Sequence, residues 1–178
     1  MKYLIASDLH GSSHYCAKII DIFKKENFDL LILLGDIYNH GPRNNLPSEY
    51  LPMSVSSQLN AISDKLMVVK GNCDSQVDQM ISNFDFLDNL VLVSGGKTLF
   101  LTHGHIYNKD NLPKTNFDAI IYGHFHTGFI ERKGDMIIAN TGSTSLPKND
   151  TPNSFMVLED KILTLKDFEN NVIKSIEL

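Results

Sequence analysis

The chain has 178 residues, a net charge of −5 and a pI near 5.7. A chain of this length can bury roughly 70% of its unfolded surface in one domain without disulfide staples. Its acidic balance argues against broad adhesion to nucleic acid or anionic membrane, either of which needs a basic field.

Tyr3 to Ala6 reads as a short apolar strand, after which Ser12 or Ser13 can cap a helix carrying Ala17, Ile19, Ile20, Ile22 and Phe23 and ending near Asn27. Leu30 to Leu34 is a continuous apolar run, the pattern of a strand buried on both faces. Ile37 to Pro52 contains Pro42, Pro47 and Pro52 and is expected to be a long loop beside the site, a candidate lid. A helix over Val55 to Lys65, a strand over Leu66 to Val69 and a short helix from Asp74 to Asn83 follow. The second half reads as strands at 90–93, 98–101, 119–122, 129–132, 136–139, 155–158, 162–165 and 172–176. Gly95-Gly96-Lys97, Lys133-Gly134-Asp135 and Glu159-Asp160-Lys161 supply the turns, so this half is expected to be mainly antiparallel. The pattern predicts an α/β fold in a single domain over 1–178, with two sheets packed face to face and helices outside. Two cysteines, Cys16 and Cys73, are too few for a disulfide framework. No apolar leader precedes Asp8, and no run approaches the roughly 20 residues that cross a bilayer. A cytoplasmic location without membrane partners is expected.

Most of the apolar runs end on residues that are expensive to bury. They read Ser7-Asp8-Leu9-His10-Gly11, Gly35-Asp36, Gly71-Asn72-Cys73-Asp74, Thr102-His103-Gly104-His105 and Gly123-His124-Phe125-His126. Any one of these is ordinary turn or helix-cap chemistry. Their conjunction points to one shared site at a sheet edge, with metal-dependent chemistry.

The ordered series Asp8-x-His10, Gly35-Asp36, Gly71-Asn72-x-Asp74, His103-Gly104 and Gly123-His124-x-His126 resembles the calcineurin-like metallophosphoesterase superfamily. The Gly-Asn-Cys-Asp variant, Gly41-Pro42-Arg43-Asn44, Val77-Asp78-Gln79-Met80 and Asn140-Thr141-Gly142-Ser143 are similar to the small bacterial YfcE-type phosphodiesterases. The resemblance implies a four-layer α/β sandwich and a dinuclear centre. Asp8, His10 and His126 would hold one ion, Asn72, His103 and His124 the other, and Asp36 would bridge them. It implies phosphodiester hydrolysis by a metal-bridging hydroxide, with two divalent ions, Mn²⁺ being favoured and Fe²⁺, Ni²⁺ or Zn²⁺ chemically compatible with the same oxygen and nitrogen donors. Cys73, Asp74 and Arg43 are the candidates for catalytic contact.

Cys73 departs from the wider superfamily, which usually has histidine there; a thiol is the weaker hydrogen-bond donor, so the leaving group is expected to receive less assistance and aryl diesters to react better than alkyl ones. His105 is expected to support its neighbours rather than ligate, and His14 and His40 to be surface residues. A small diester is the expected substrate, with long nucleic acid disfavoured. A homo-oligomer built on Leu46, Tyr50, Leu51 and Met53 is the expected assembly. Two other classes stay in view. One is a binding module like the retromer scaffold subunit that shares this fold; the other is a cysteine hydrolase built on Cys73.

Overall fold

The computed structural model describes residues 1–178. Its elements are β1 Lys2–Ala6, α1 Ser13–Lys25, β2 Leu30–Leu33, α2 Pro52–Asn60, a 3₁₀ turn Ser63–Lys65, β3 Leu66–Val69, α3 Gln76–Gln79 and β4 Phe86–Leu87. They continue as β5 Leu90–Ser94, β6 Lys97–Leu101, β7 Ala119–Tyr122, β8 Gly128–Lys133, β9 Met136–Thr141, β10 Ser154–Glu159, β11 Ile162–Asp167 and β12 Val172–Glu177.

Two mixed sheets result, in the orders β12-β11-β10-β1-β2-β3-β4 and β5-β6-β7-β9-β8. Successive residues of a strand face opposite sides, and here both sides are apolar. Leu4, Leu31, Leu33 and Val68 pack outward under α1 and α2 with Ile19, Phe23 and Leu59. Ile5, Ile32, Leu34 and Val69 face the other sheet, meeting Leu99, Leu101, Ile121 and Ile137. Each fully buried side chain of this kind contributes roughly 1.5–3 kcal/mol. The far face of the five-stranded sheet, Phe100, Ile120, Tyr122 and Ile138, is covered by no helix. Residues of the 102–118 segment lie on it, with the Phe117 ring stacked 4.9 Å from that of Phe100.

The hairpins expected at Gly95-Gly96, Gly134 and Asp160 are present and antiparallel. The centre of the second sheet is not: β6 pairs with β7, and β7 with β9, in parallel. Length and apolar content look the same in both orientations, and only the irregular crossover 102–118 and the return through β8 make these pairings parallel.

Ser12 caps α1, its hydroxyl accepting from the Tyr15 N–H, and the chain leaves the helix through Asn27 at φ +53°. The second helix starts three residues before the expected Val55, because Pro52 sits in its first turn, where no N–H is needed. It breaks at Ala61. The third is one turn long within the expected 74–83, and the short β4 was not legible. No helix is long and apolar enough to cross a membrane.

Candidate metal centre

Asp8 and His10 follow β1, Asp36 follows β2, Asn72 follows β3, His103 follows β6, and His124 and His126 follow β7. Within each sheet these strands run parallel to one another, so their carboxyl ends open together and deliver the side chains to one place. The parallel centre of the second sheet is what brings His103 and His124 to the same edge.

The backbone turns hard at these points. Asp8, His10, Asp36, His124 and His126 all have φ between 49° and 64°. Side chains other than glycine seldom adopt this conformation, at a cost of order 1 kcal/mol or more each. Hydrogen bonds between the strand exits hold it: the Asp8 N–H donates to Gly35 O at 3.1 Å, and the His10 N–H to Asp36 O at 2.8 Å. Close approach is also required where β2 and β3 leave the sheet. A Cβ on Gly35 would lie 2.6 Å from the Gly71 Cα, so both positions need glycine.

Three imidazoles are fixed by carbonyls behind them. His10 Nδ1 lies 2.7 Å from Asn39 O, His103 Nδ1 2.7 Å from Leu34 O, and His126 Nδ1 2.6 Å from Leu146 O. A carbonyl only accepts, so each Nδ1 carries a hydrogen and each ring turns Nε2 inward, where it offers a lone pair once any proton there is displaced. His10 Nε2 and His126 Nε2 then stand 3.1 Å apart, with Asp8 Oδ1 at 3.6 and 3.2 Å. On the other side, His103 Nε2 faces Asn72 Oδ1 at 3.0 Å and His124 Nδ1 at 3.3 Å. Asp36 Oδ2 lies between, 3.7 Å from His10 Nε2 and 3.4 Å from His103 Nε2. These are acceptors converging on acceptors. Asp8 Oδ1 is buried without a hydrogen-bond partner, although Asp8 Oδ2 accepts from the His124 N–H at 2.9 Å. Oxygen and imidazole donors so arranged fit divalent cations, and the groups Asp8/His10/His126 and Asp36/His103/His124 each bring their ligand atoms within 4.8 Å of one another.

Protonation follows the same crowding. Burial pushes the Asp8 carboxyl up, but the His10 and His126 rings close beside Oδ1 and the charge of His103 outweigh it and hold Asp8 well below the usual carboxylate range. Burial works against the charged form of His103, yet hydrogen bonding to Asp36 and the two carboxylate charges raise it to about 9. Burial and the neighbouring His103 push His124 down to about 4. The Cys73 thiol is pushed up to about 12 by burial and by Asp36, which disfavours the thiolate that a cysteine hydrolase needs.

The remaining expected residues divide. Cys73 and Arg43 line a cleft of about 470 Å³ over the centre, together with Asp36, Asn72, His124, His126, Phe125 and Lys148. Asp74, expected among the catalytic residues, is instead buried and turned to the backbone. Its Oδ2 accepts from the Asp36 and Gly71 N–H groups at 2.8 and 2.7 Å, and Oδ1 from Ile37 N–H at 2.8 Å. It positions Asp36 and the β3 exit. The burial that allows this also raises its carboxyl to about 6 against the pull of those donors. His105 packs 5.4 Å from the His103 ring, His40 edge-on to Tyr50 at 5.2 Å, and His14 lies 3.9 Å from Glu49.

Residue-by-residue reading missed the supports. Ser143 and Ser145 hydroxyls donate to Asp8 O at 2.9 and 3.0 Å, Thr144 to Ser7 O at 3.1 Å, and Asn140 Nδ2 to Gly123 O at 2.6 Å. The signal was a run of small hydroxyl residues with no apolar period, Thr141 to Ser145, all buried. Asn39 was also missed, for its part is played by its carbonyl.

The chain also matches known proteins over most of its length. The calcineurin-like phosphoesterase superfamily domain matches residues 1–161. Phosphodiesterase YfcE of Escherichia coli K12 is 40% identical over 168 residues, covering 93% of this chain and 91% of that protein. The probable metallophosphoesterase YsnB of Bacillus subtilis is 28% identical, covering 89% and 83%. The solved structure of the Escherichia coli phosphoesterase YfcE superposes with a TM-score of 0.96 at 37% identity, covering 99% of each chain. Vps29 of Entamoeba histolytica shares the fold alone, with a TM-score of 0.69 at 20% identity over 100% of this chain and 99% of that one. With its strand-end motifs gathered at one edge and most of its length matched, the chain belongs to the calcineurin-like phosphoesterase superfamily.

Proposed function

We propose that this protein is a metal-dependent phosphodiesterase that hydrolyses a small diester at a dinuclear centre. The observation that carries the reading is the convergence of inward imidazole nitrogens and carboxylate oxygens into two adjoining clusters, with Asp36 Oδ2 3.7 Å from His10 of one and 3.4 Å from His103 of the other. Asp8, His10 and His126 would hold one ion, Asn72, His103 and His124 the other, with Asp36 common to both and Mn²⁺ the favoured metal. Such a pair, when bound, supplies a water acidified towards neutrality and neutralises charge on the phosphoryl oxygens.

The chain's own residues do the rest. Carbonyls 34, 39 and 146 lock three rings in the orientation that exposes Nε2, and Asp74 holds the backbone of Asp36. Arg43 and Lys148 line the cleft without an ion-pair partner and can hold the substrate's anionic oxygens. Two cations in an otherwise acidic chain suit a small diester better than a long nucleic acid. In its thiol form Cys73 offers only a weak hydrogen-bond donor, so the departing group leaves largely unaided and aryl esters react faster than alkyl ones.

The test is hydrolysis of bis(p-nitrophenyl) phosphate and p-nitrophenyl phosphate by metal-stripped protein, with Mn²⁺, Ni²⁺, Zn²⁺ or Mg²⁺ returned. Turnover restored by metal, higher for the diester and reduced at least about 100-fold in Asp36→Asn, is expected. Folded protein inert with every metal would transfer the weight to a binding module of the same fold.

A further inference from the structure

Phe125 is left over by the site so far described. It lies between His124 and His126, whose rings are committed to the two ligand clusters, and both neighbours have positive φ, 64° and 59°. The intervening side chain is therefore thrown to the cleft mouth, where it lines the cavity and remains 45% exposed. A single exposed apolar side chain needs no explanation on its own, but this ring lines the cleft over the two clusters, where a bound ester group would meet it.

Its position is braced. The Phe125 N–H donates to Gly123 O at 2.7 Å, and Thr127 Oγ1 donates to Phe125 O at 3.3 Å. The ring meets Tyr122 at 6.0 Å and His124 at 5.0 Å, with interplanar angles of 74° and 82°. Tyr122 in turn rests on Phe129 at 6.1 Å. Both contacts to Phe125 are near-perpendicular, so no ring of the protein stacks parallel on it. Lys148, whose N–H donates to His126 O at 2.9 Å, lines the same cavity and forms no ion pair.

We propose that Phe125 is a stacking platform for a planar aromatic ester group of the substrate, with Lys148 beside it facing the phosphate. This deepens the proposed phosphodiester hydrolysis and rests on it: of the two ester groups of the diester, at least one is a ring. Nucleosides and aryl esters share that chemistry. A ring docked flat on Phe125 covers apolar surface on both partners while its phosphate reaches the two clusters, whereas an alkyl ester of similar charge gains only the second contact.

The test measures binding and so does not depend on turnover. Mn²⁺-loaded protein is titrated calorimetrically with thymidine 5′-monophosphate, phenyl phosphate and methyl phosphate, using wild type, Phe125→Leu and Phe125→Tyr, with folding checked by thermal melts. Wild type should bind a ring-bearing monoester about 10-fold more tightly than methyl phosphate, the size of one ring–aromatic stack. Phe125→Leu should erase that ratio without changing methyl phosphate affinity, and Phe125→Tyr should keep it. Preference for both ring ligands assigns the ring itself, while preference for one alone identifies the nucleoside or the aryl source. Equal affinity for all three ligands in wild type, or a ratio that survives Phe125→Leu, overturns the proposal. Absence of turnover on any diester counts against the hydrolase reading and leaves the ring preference measured on its own terms.

Discussion

The two halves of the centre are built in different environments. Asp8, His10 and His126 are 0%, 0% and 2% exposed, whereas across Asp36 the Asn72 side chain is open to the cleft and His124 is half-buried, with only His103 sealed in. The sealed half must keep its acceptors pointed at one another without help from water. Its Oδ1 of Asp8 has no hydrogen-bond partner, and two imidazole nitrogens face each other at 3.1 Å. Preorganisation of this kind costs stability in the metal-free protein and lowers the reorganisation needed to bind a cation. The open half carries less of that cost, because solvent can satisfy Asn72 and His124. On the proposed reading the two halves should therefore respond unequally when a ligand is removed.

Asp74 underlies both halves, and its loss should have the largest effect. Asp74→Asn places an amide NH₂ against backbone N–H donors that now share a carboxylate, leaving buried donors unpaired on the exits of β2 and β3. We expect a loss of about 4 kcal/mol of stability, the scale for breaking a buried charged network. Chemical denaturation would show it, and turnover should fall with every metal because Asp36 loses its anchor. A variant as stable as wild type would mean that these three hydrogen bonds are not what shapes the edge.

A smaller pair of changes separates the halves. Asp8→Asn removes the carboxylate whose ionised form the surrounding histidines favour in the folded state, so the metal-free melting temperature should fall. The stabilisation that saturating Mn²⁺ gives wild type, about 2.7 kcal/mol at 100 times Kd, should shrink. Asn72→Ala should leave the metal-free melt unchanged and keep most of the metal-induced gain, while turnover falls. If the two variants shift the metal-free melt equally, burial is not what distinguishes the halves.

Strand ends were easy to find in the sequence because Leu30 to Leu34 and Ala119 to Tyr122 are uninterrupted apolar runs that stop at glycine and a titratable residue. That spacing brought the ligand candidates to strand ends, yet it could not show that β6, β7 and β9 run parallel, since apolar content carries no direction. The environment of each carboxylate was equally hidden. Asp36 and Asp74 both belong to short glycine-containing motifs, but one faces the cleft and the other three backbone N–H groups. Only the fold of the 71–74 turn decides which is which. Supports acting through main-chain carbonyls, such as Asn39 and Leu146, leave no trace in side-chain chemistry at all.

The most gradual effect is a pH dependence that belongs chiefly to the sealed histidine of the second half. His103 has a pKa of 6.5 when unperturbed and about 9 in the folded, metal-free protein. The folded state therefore holds more protons than the unfolded state between those values, and stability falls as pH rises through that window. The contribution is fully present below 6.5 and gone above about 9. It amounts to roughly 3–4 kcal/mol at the acidic side of the window, since each pKa unit is worth about 1.4 kcal/mol and the site is buried. Melts in chelator from pH 6 to 9.5 should decline accordingly, and saturating Mn²⁺ should flatten the slope because a cation takes the place of the proton between His103 and Asp36. A flat profile in chelator would show that the proton is not what offsets the crowded acceptors, and that the clusters relax apart when no cation is present.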